Sequence, residues 1–150
     1  MQLSAVERKI INRIQRSLPL SKTPFGLISK GLGLDEGELI RKIKSLKARG
    51  VIRGISAGVD HSRLGFTSSL IAMRLPAGRI ESVAKKIVSY KEVTHCFLRK
   101  GEYSLWVVFI SPKKSGLDKF LKTLAEWAGS ENVLSLPTIR KFKLKTTIEV

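Results

Sequence analysis

The stretch Val93–Phe109, VTHCFLRKGEYSLWVVF, gathers the residues of this chain best suited to chemistry. His95 supplies an imidazole, which exchanges a proton near neutral pH. Arg99 supplies a permanent cation that can hold a carboxylate through two parallel hydrogen bonds. Two runs of strand-forming residues flank Lys100-Gly101-Glu102, which predicts two strands joined by a tight turn. In an ideal strand successive side chains point to opposite faces, so His95, Phe97 and Arg99 share one face and Thr94, Cys96 and Leu98 the other. Tyr103 opens the second strand, and Trp106 lies in an apolar run, Leu105 to Ile110, that reads as buried. Spacing alone leaves two readings open: a half-buried hairpin with a solvated polar face, or a site built on that face.

The chain of 150 residues is 43% hydrophobic, enough to bury a core in one domain or two small ones. Its net charge is +16, from 28 Lys+Arg against 12 Asp+Glu. Such a surface attracts polyanions: DNA, or any multiply carboxylated or phosphorylated ligand. Residues 1–60 carry a cationic surplus of 7 and residues 61–150 a surplus of 9, so the excess is not confined to one segment. A single cysteine, Cys96, precludes an internal disulfide and fits a reducing cytosol. The opening MQLSAVERK has no apolar signal core, and no apolar run is long enough to cross a membrane. A cytoplasmic protein is expected.

The elements that must position the hairpin can be read in order. Ser4 and Glu7 form a capping box, and Val6, Ile10, Ile14 and Leu18 follow at helical spacing. Thr23-Pro24 predicts a second, short helix capped by Thr23 and stopped at Gly31. Asp35 and Glu38 open a third, whose buried stripe is Leu39, Ile40, Ile43 and Leu46 and which stops at Gly50. Three helices with a tight turn before the third predict a helix-turn-helix over residues 1–60. Val51–Val59 reads as an extended linking strand and Asp60–Phe66 as a polar turn. Residues 61–150 then give strand, helix, strand, strand, helix and a last strand region from Val133 to Ile148. The expected class is α+β: a winged helix-turn-helix followed by a ferredoxin-like βαββαβ domain for ligand binding and dimerisation.

GLDEGELIRKIKSLKARGVIRG, Gly33 to Gly54, resembles the leucine-responsive regulator/AsnC family, which implies the winged fold and a C-terminal domain that dimerises through its sheet. Further stretches resemble one branch of that family, the siroheme decarboxylases of the haem and haem d1 pathways. They are Leu18-Pro19-Leu20 with Pro24-Phe25, Val51-Ile52-Arg53, Leu64-Gly65-Phe66, His95-x-Phe97-Leu98-Arg99, Tyr103-x-Leu105-Trp106, and Leu136-Pro137-Thr138 with Phe142-Lys143. The chain departs from that pattern at Cys96, Phe97, Gly101 and Ser104. Asp60-His61-Ser62-Arg63 and Cys96 are similar to the partner subunit type, so features of both subunit types meet here.

The resemblance implies a substrate, siroheme, that is an iron tetrapyrrole with eight carboxylates. Its site needs cations and an apolar or aromatic wall. It implies His95 as general acid, supported by Arg99 and Tyr103, in a decarboxylation that removes acetate carboxyls as CO2 to give didecarboxysiroheme. Arg53, Arg63, Lys141 and Lys143 become carboxylate partners, with Arg140 on the opposite strand face from Lys141. His61 becomes a carboxylate partner, a ligand of the substrate iron or a second proton donor, against a plain reading as a solvated turn residue. Trp106 reads as core from its run and as part of the wall from the resemblance. Cys96 reads as a small buried residue. No redox cofactor is expected, since the iron belongs to the substrate, and the expected partner is a second copy or a related subunit.

Two other readings stay open: an AsnC-type transcription regulator, and a non-catalytic partner subunit that completes another chain's site. Asp35, Glu36 and Glu38 crowd the start of the third helix, where phosphates would approach. Duplex DNA is therefore not expected as a specific partner. Selection from a random DNA pool is expected to enrich no palindromic site, with only weak, salt-sensitive binding; one site bound tightly at physiological salt would contradict this.

Overall fold

A computed structural model describes residues 2–143 and 147–150. They divide into two compact units, Met1–Ala57 with Lys143–Val150, and Gly58–Phe142. The first unit holds three helices: α1 (Ala5–Arg16), α2 (Pro24–Leu32) and α3 (Glu36–Ala48). The capping box forms: the Ser4 N–H donates to Glu7 Oε2 at 2.8 Å and the Glu7 N–H to Ser4 Oγ at 3.2 Å. Those bonds, from the Ser4 backbone above all, and the Arg49 guanidinium hold the Glu7 carboxyl below its usual range. Ile10, Ile11, Ile28, Leu39, Ile43 and Leu46 make the core of this unit. Asp35 caps α3 by accepting from the Glu38 N–H.

Three local expectations change here. Thr23 stands at the start of α2 but its side chain makes no cap bond. Gly31 stays helical, and the stop is Gly33, whose φ of 66° suits a residue without Cβ. The Leu34 N–H then reaches back to the Ser29 carbonyl, a Schellman ending that swings the chain into α3. Val51–Val59 is not paired as a strand. Val51 and Ile52 are tied to the Leu46 carbonyl, but Gly54, Ala57 and Gly58 give the rest little β-propensity and no strand among the described residues pairs with it.

The second unit has β1 (Thr67–Met73), α4 (Ala77–Ile87), β2 (Val93–Leu98), β3 (Leu105–Ser111), α5 (Lys114–Ala128), a 3-10 turn (Ser130–Asn132) and β4 (Val133–Pro137). The sheet is antiparallel with order β2-β3-β1-β4, the ferredoxin-like arrangement. Strict alternation along β3 buries Leu105, Val107, Phe109 and Ser111. These meet Ile71 and Met73 of β1 and the inner faces of α4 and α5, Val83, Ile87, Leu117, Phe120 and Leu124. Phe120 stacks on Phe109 at 4.3 Å and meets Tyr90 edge-on at 4.9 Å. The last strand ends at Pro137, well short of Ile148, since Pro137 has no N–H for a further rung. Arg140 and Lys141 are therefore not on a strand, and 144–146 of the expected strand lie outside the described residues.

Candidate functional site on the open sheet face

Both helices cover one face of the sheet, and the other face carries the chemistry. Its cross-strand rows can be read from the register. His95, Val108, Leu70 and Leu136 form one row, and Phe97, Trp106, Ala72 and Leu134 the next. Four of these apolar side chains stay substantially exposed: Leu70 39%, Phe97 48%, Leu134 40% and Leu136 44%. Trp106 is on this face, half-buried, and so is not part of the helix-covered core that its apolar run predicts. Leu105, in contrast, is fully covered by the helices.

A β-bulge aims His95. The register slips between Val93 and His95, so Val93 packs into the helix-covered core while His95, two residues on, lies opposite Val108 on the open face. Thr94 Oγ1 donates to the Val108 carbonyl at 3.3 Å and lies 3.1 Å from His95 Nδ1. The expected row then forms. The His95 ring is 5.7 Å from Phe97, and the Arg99 guanidinium is 5.6 Å from the same ring, within cation–π range. Cys96 faces the helices, and burial pushes its thiol pKa up.

The connection from Arg99 to Ser104 is longer than a tight turn, closed by the Arg99 N–H donating to the Ser104 carbonyl at 2.7 Å. Tyr103 is half-buried in it, and its carbonyl accepts from Trp106 Nε1 at 2.7 Å. Arg74, absent from the sequence reading, braces this loop. It donates to Glu102 Oε1 at 2.6 Å and Asn132 Oδ1 at 2.7 Å, with its guanidinium 6.0 Å from the Tyr103 ring. The two-residue period running Ser68, Leu70, Ala72, Arg74 was the signal that could have found it.

His61 is not a solvated turn residue. It is half-buried, with Nε2 3.2 Å from Ser68 Oγ on the open face. By register, Ser68 lies two strands and two residues from His95, a separation of about 12 Å at ordinary sheet spacing. Beside His61, Lys141 Nζ donates to Asp60 Oδ1 at 3.1 Å and Ser62 Oγ at 3.0 Å. The Ser62 hydroxyl first, and then Lys141, hold the Asp60 carboxyl well below its usual range. Arg63 is exposed in the same turn. The structure thus brings His95, Phe97, Arg99, Trp106 and Tyr103 into one group, with His61, Arg63 and Lys141 in a second group at the Ser68 end of the same unit. Arg53 and Lys143 are exposed residues of the other unit.

At the start of α3, Asp35 is spent on the cap and Glu38 lies 3.7 Å from Lys42, while Arg41, Lys44 and Lys47 are exposed. No helix among the described residues is long and apolar enough to cross a membrane.

Two family models match. Residues 7–53 match the siroheme decarboxylase NirDL-like HTH domain, and residues 63–143 the AsnC-like ligand binding domain. The siroheme decarboxylase alpha subunit of Desulfovibrio desulfuricans is 31% identical over 143 residues, covering 95% of this chain and 82% of that one. The siroheme decarboxylase NirD subunit of Stutzerimonas stutzeri is 33% identical over 144 residues, covering 96% and 93%. Among solved structures, the siroheme decarboxylase NirDL in complex with an iron-uroporphyrin III analogue has a TM-score of 0.69 at 29% identity, covering 95% of this chain and 47% of that chain. E. coli AsnC has a TM-score of 0.80 at 19% identity, covering 98% and 99%, a likeness of fold. The matches of two family models and of subunit relatives over nearly the whole length place the chain in one family: it belongs to the siroheme decarboxylase subunits, within the AsnC-like fold.

Proposed function

We propose that this chain is a subunit of a siroheme decarboxylase, a carbon–carbon lyase that removes acetate carboxyls of siroheme as CO2. The observation that carries the reading is the row His95–Phe97–Arg99 beside Trp106 on the open sheet face. Phe97 and Trp106 offer a flat macrocycle an aromatic wall. Arg99, Arg63 and Lys141 supply cations for its carboxylates. In each round the bond from the methylene carbon to the carboxylate breaks and CO2 leaves. The electron pair stays on that carbon, and one proton, delivered by His95, completes a methyl group. Tyr103 steadies the loop that carries Arg99. The balance closes with one proton, so the reaction calls for no redox cofactor beyond the iron the substrate brings.

The reading is tested by anaerobic incubation with siroheme, with and without a paired subunit, followed by mass analysis of the tetrapyrrole. Loss of the mass of CO2 is expected, and an unchanged tetrapyrrole under both conditions would refute it. The product expected is didecarboxysiroheme, in a cytoplasmic haem or haem d1 pathway.

His61 is the residue proposed to meet the iron. Ligation through Nε2 would displace its contact with Ser68. His61→Ala is expected to shift the absorption bands of bound siroheme; an unchanged spectrum in a protein that still binds would assign His61 to the turn alone.

Assembly is proposed through the open face. Leu70, Leu134 and Leu136 lie on β1 and β4, away from the His95 strand. Each such side chain is worth roughly 1.5–3 kcal/mol when fully buried, which favours covering them. A homodimer or a heterodimer with a related subunit is expected by light scattering. A stable monomer, alone and with the paired subunit, would remove the basis for a site shared between chains.

A further inference from the structure

Arg74 is the one arginine that shares the Arg99 end of the sheet, and the reaction outlined above gives it no part. Met73 and Leu98 both pair with Leu105, and Met73 pairs with Val133. The ladder then runs one step further. The Arg74 N–H donates to the Asn132 carbonyl at 2.9 Å and the Arg99 N–H to the Ser104 carbonyl at 2.7 Å. Arg99, Ser104, Arg74 and Asn132 are therefore the next cross-strand row, with Arg74 two strands, about 10 Å, from Arg99. The Arg74 side chain is anchored at a fixed point. Its Nε donates to Asn132 Oδ1 at 2.7 Å, and Asn132 Nδ2 donates in turn to the Ala128 carbonyl at 2.7 Å, at the end of α5. Its Nη1 donates to Glu102 Oε1 at 2.6 Å. The guanidinium thus ties the middle of the Arg99–Ser104 loop to the end of a packed helix.

The loop needs that tie. Two bonds hold it from within, the Arg99 N–H to Ser104 and Trp106 Nε1 to the Tyr103 carbonyl, and neither fixes Lys100, Gly101 or Glu102. Those three residues are exposed, and Gly101 takes a φ of 138° that is open only to glycine. Ser104 Oγ is buried with no partner among the described residues, which works against this closed form. β2 is an edge strand, so no strand among the described residues steadies Arg99 from its outer side. An arginine that must meet a carboxylate in one geometry loses rate when its backbone wanders.

We propose that Arg74, through its hold on Glu102, is a positioning residue for Arg99: it keeps the Arg99–Ser104 loop closed so that the Arg99 guanidinium stands ready for the departing carboxylate. The identity of that carboxylate rests on the siroheme reading above; the brace itself rests on the two side-chain bonds of Arg74.

The test uses the full chain with its paired subunit and Arg74→Met, which keeps an unbranched apolar stem and loses both donors. The Arg74 and Glu102 side chains are 45% and 66% exposed, so the variant should fold as the parent does. The Arg99 amide is expected to resist hydrogen exchange in the parent and to exchange faster in the variant. The kcat/KM for siroheme is expected to fall about fivefold, as when the competent fraction of the loop falls to about a fifth. Glu102→Ala is expected to give the same fall. Added to Arg99→Ala, Arg74→Met is expected to cost nothing further, because it acts through Arg99; a loss from general unfolding would add. Equal exchange of the Arg99 amide in parent and variant would overturn the brace. Parental kcat/KM in a variant with a loosened loop would overturn its role, as would a full fivefold cost on top of Arg99→Ala, which would give Arg74 a contact of its own. Parental kcat/KM in Glu102→Ala would overturn Glu102 as the link. A parent complex that leaves siroheme unchanged would remove the role along with the functional reading, while the exchange comparison still decides the brace separately.

Discussion

His95→Ala is expected to slow CO2 release from siroheme by roughly a hundredfold or more, the usual cost of losing a general acid. The variant should fold as the parent does. His95 is exposed, and its contacts are the Thr94 hydroxyl and one face of Phe97, neither part of the core. Siroheme binding should largely survive, because the carboxylates are still met by Arg99 and the other cations and the ring still has its aromatic wall. The effect therefore falls on kcat, with KM little changed. Single-turnover release of CO2 from preformed complex, with the paired subunit present, measures the chemical step directly. The decisive contrary result is a His95→Ala protein that is folded, binds siroheme and releases CO2 at the parental rate. The acid would then belong to another residue or to the other chain, and this chain would be the supporting subunit.

How far the sequence carries toward this site depends on how local each determinant is. The Ser4–Glu7 box, the Asp35 cap and the alternation of β3 are short-range and came through in the structure. The row His95–Phe97–Arg99 was also legible, because alternation within β2 holds from His95 onward. Alternation would have put Val93 on that same face, and it failed there. The bulge that separates Val93 from His95 is set by pairing with β3 and by the demand of the covered core for Val93, and neither is written in the local pattern. Val51–Val59 and residues 138–143 fail for the opposite reason: an extended reading needs a partner strand, and propensity cannot say whether one exists. His61 looked solvated because Ser68, which takes its ring nitrogen, comes seven residues later and on the next element. Lys141 reaches Asp60 across 81 residues, a pairing no window of sequence contains. The apolar residues of the open face were visible, but the sequence did not show which of them the helices cover. Leu105 and Trp106 belong to one run that reads as buried, yet Leu105 lies under α4 and α5 and Trp106 on the opposite face.

Arg99→Ala is expected to lower kcat/KM for siroheme by roughly tenfold to a hundredfold, the worth of one charge-assisted contact to a carboxylate. Unlike the His95 change, the loss should be shared. The part of the Arg99 contact that anchors the substrate raises KM when removed, and the part that orients the departing carboxylate lowers kcat. The structure offers little else for Arg99 to do. Its side chain is exposed, its guanidinium lies 5.6 Å from the Phe97 ring, and the loop is closed by its backbone N–H, which alanine keeps. A surface cation–π contact of this kind contributes only about 0.5–1 kcal/mol, so stability should hardly move. Arg99→Lys separates charge from geometry. It retains the cation and should recover most of the KM, but it lacks the planar fork that grips both carboxylate oxygens, so kcat should stay low. The comparison is made at fixed ionic strength, since a +16 chain attracts an anionic substrate at long range whatever stands at this position. If Arg99→Ala leaves both KM and kcat at parental values, Arg99 only flanks Phe97, and the leaving carboxylate is held by the second group of cations, around Lys141 and Arg63.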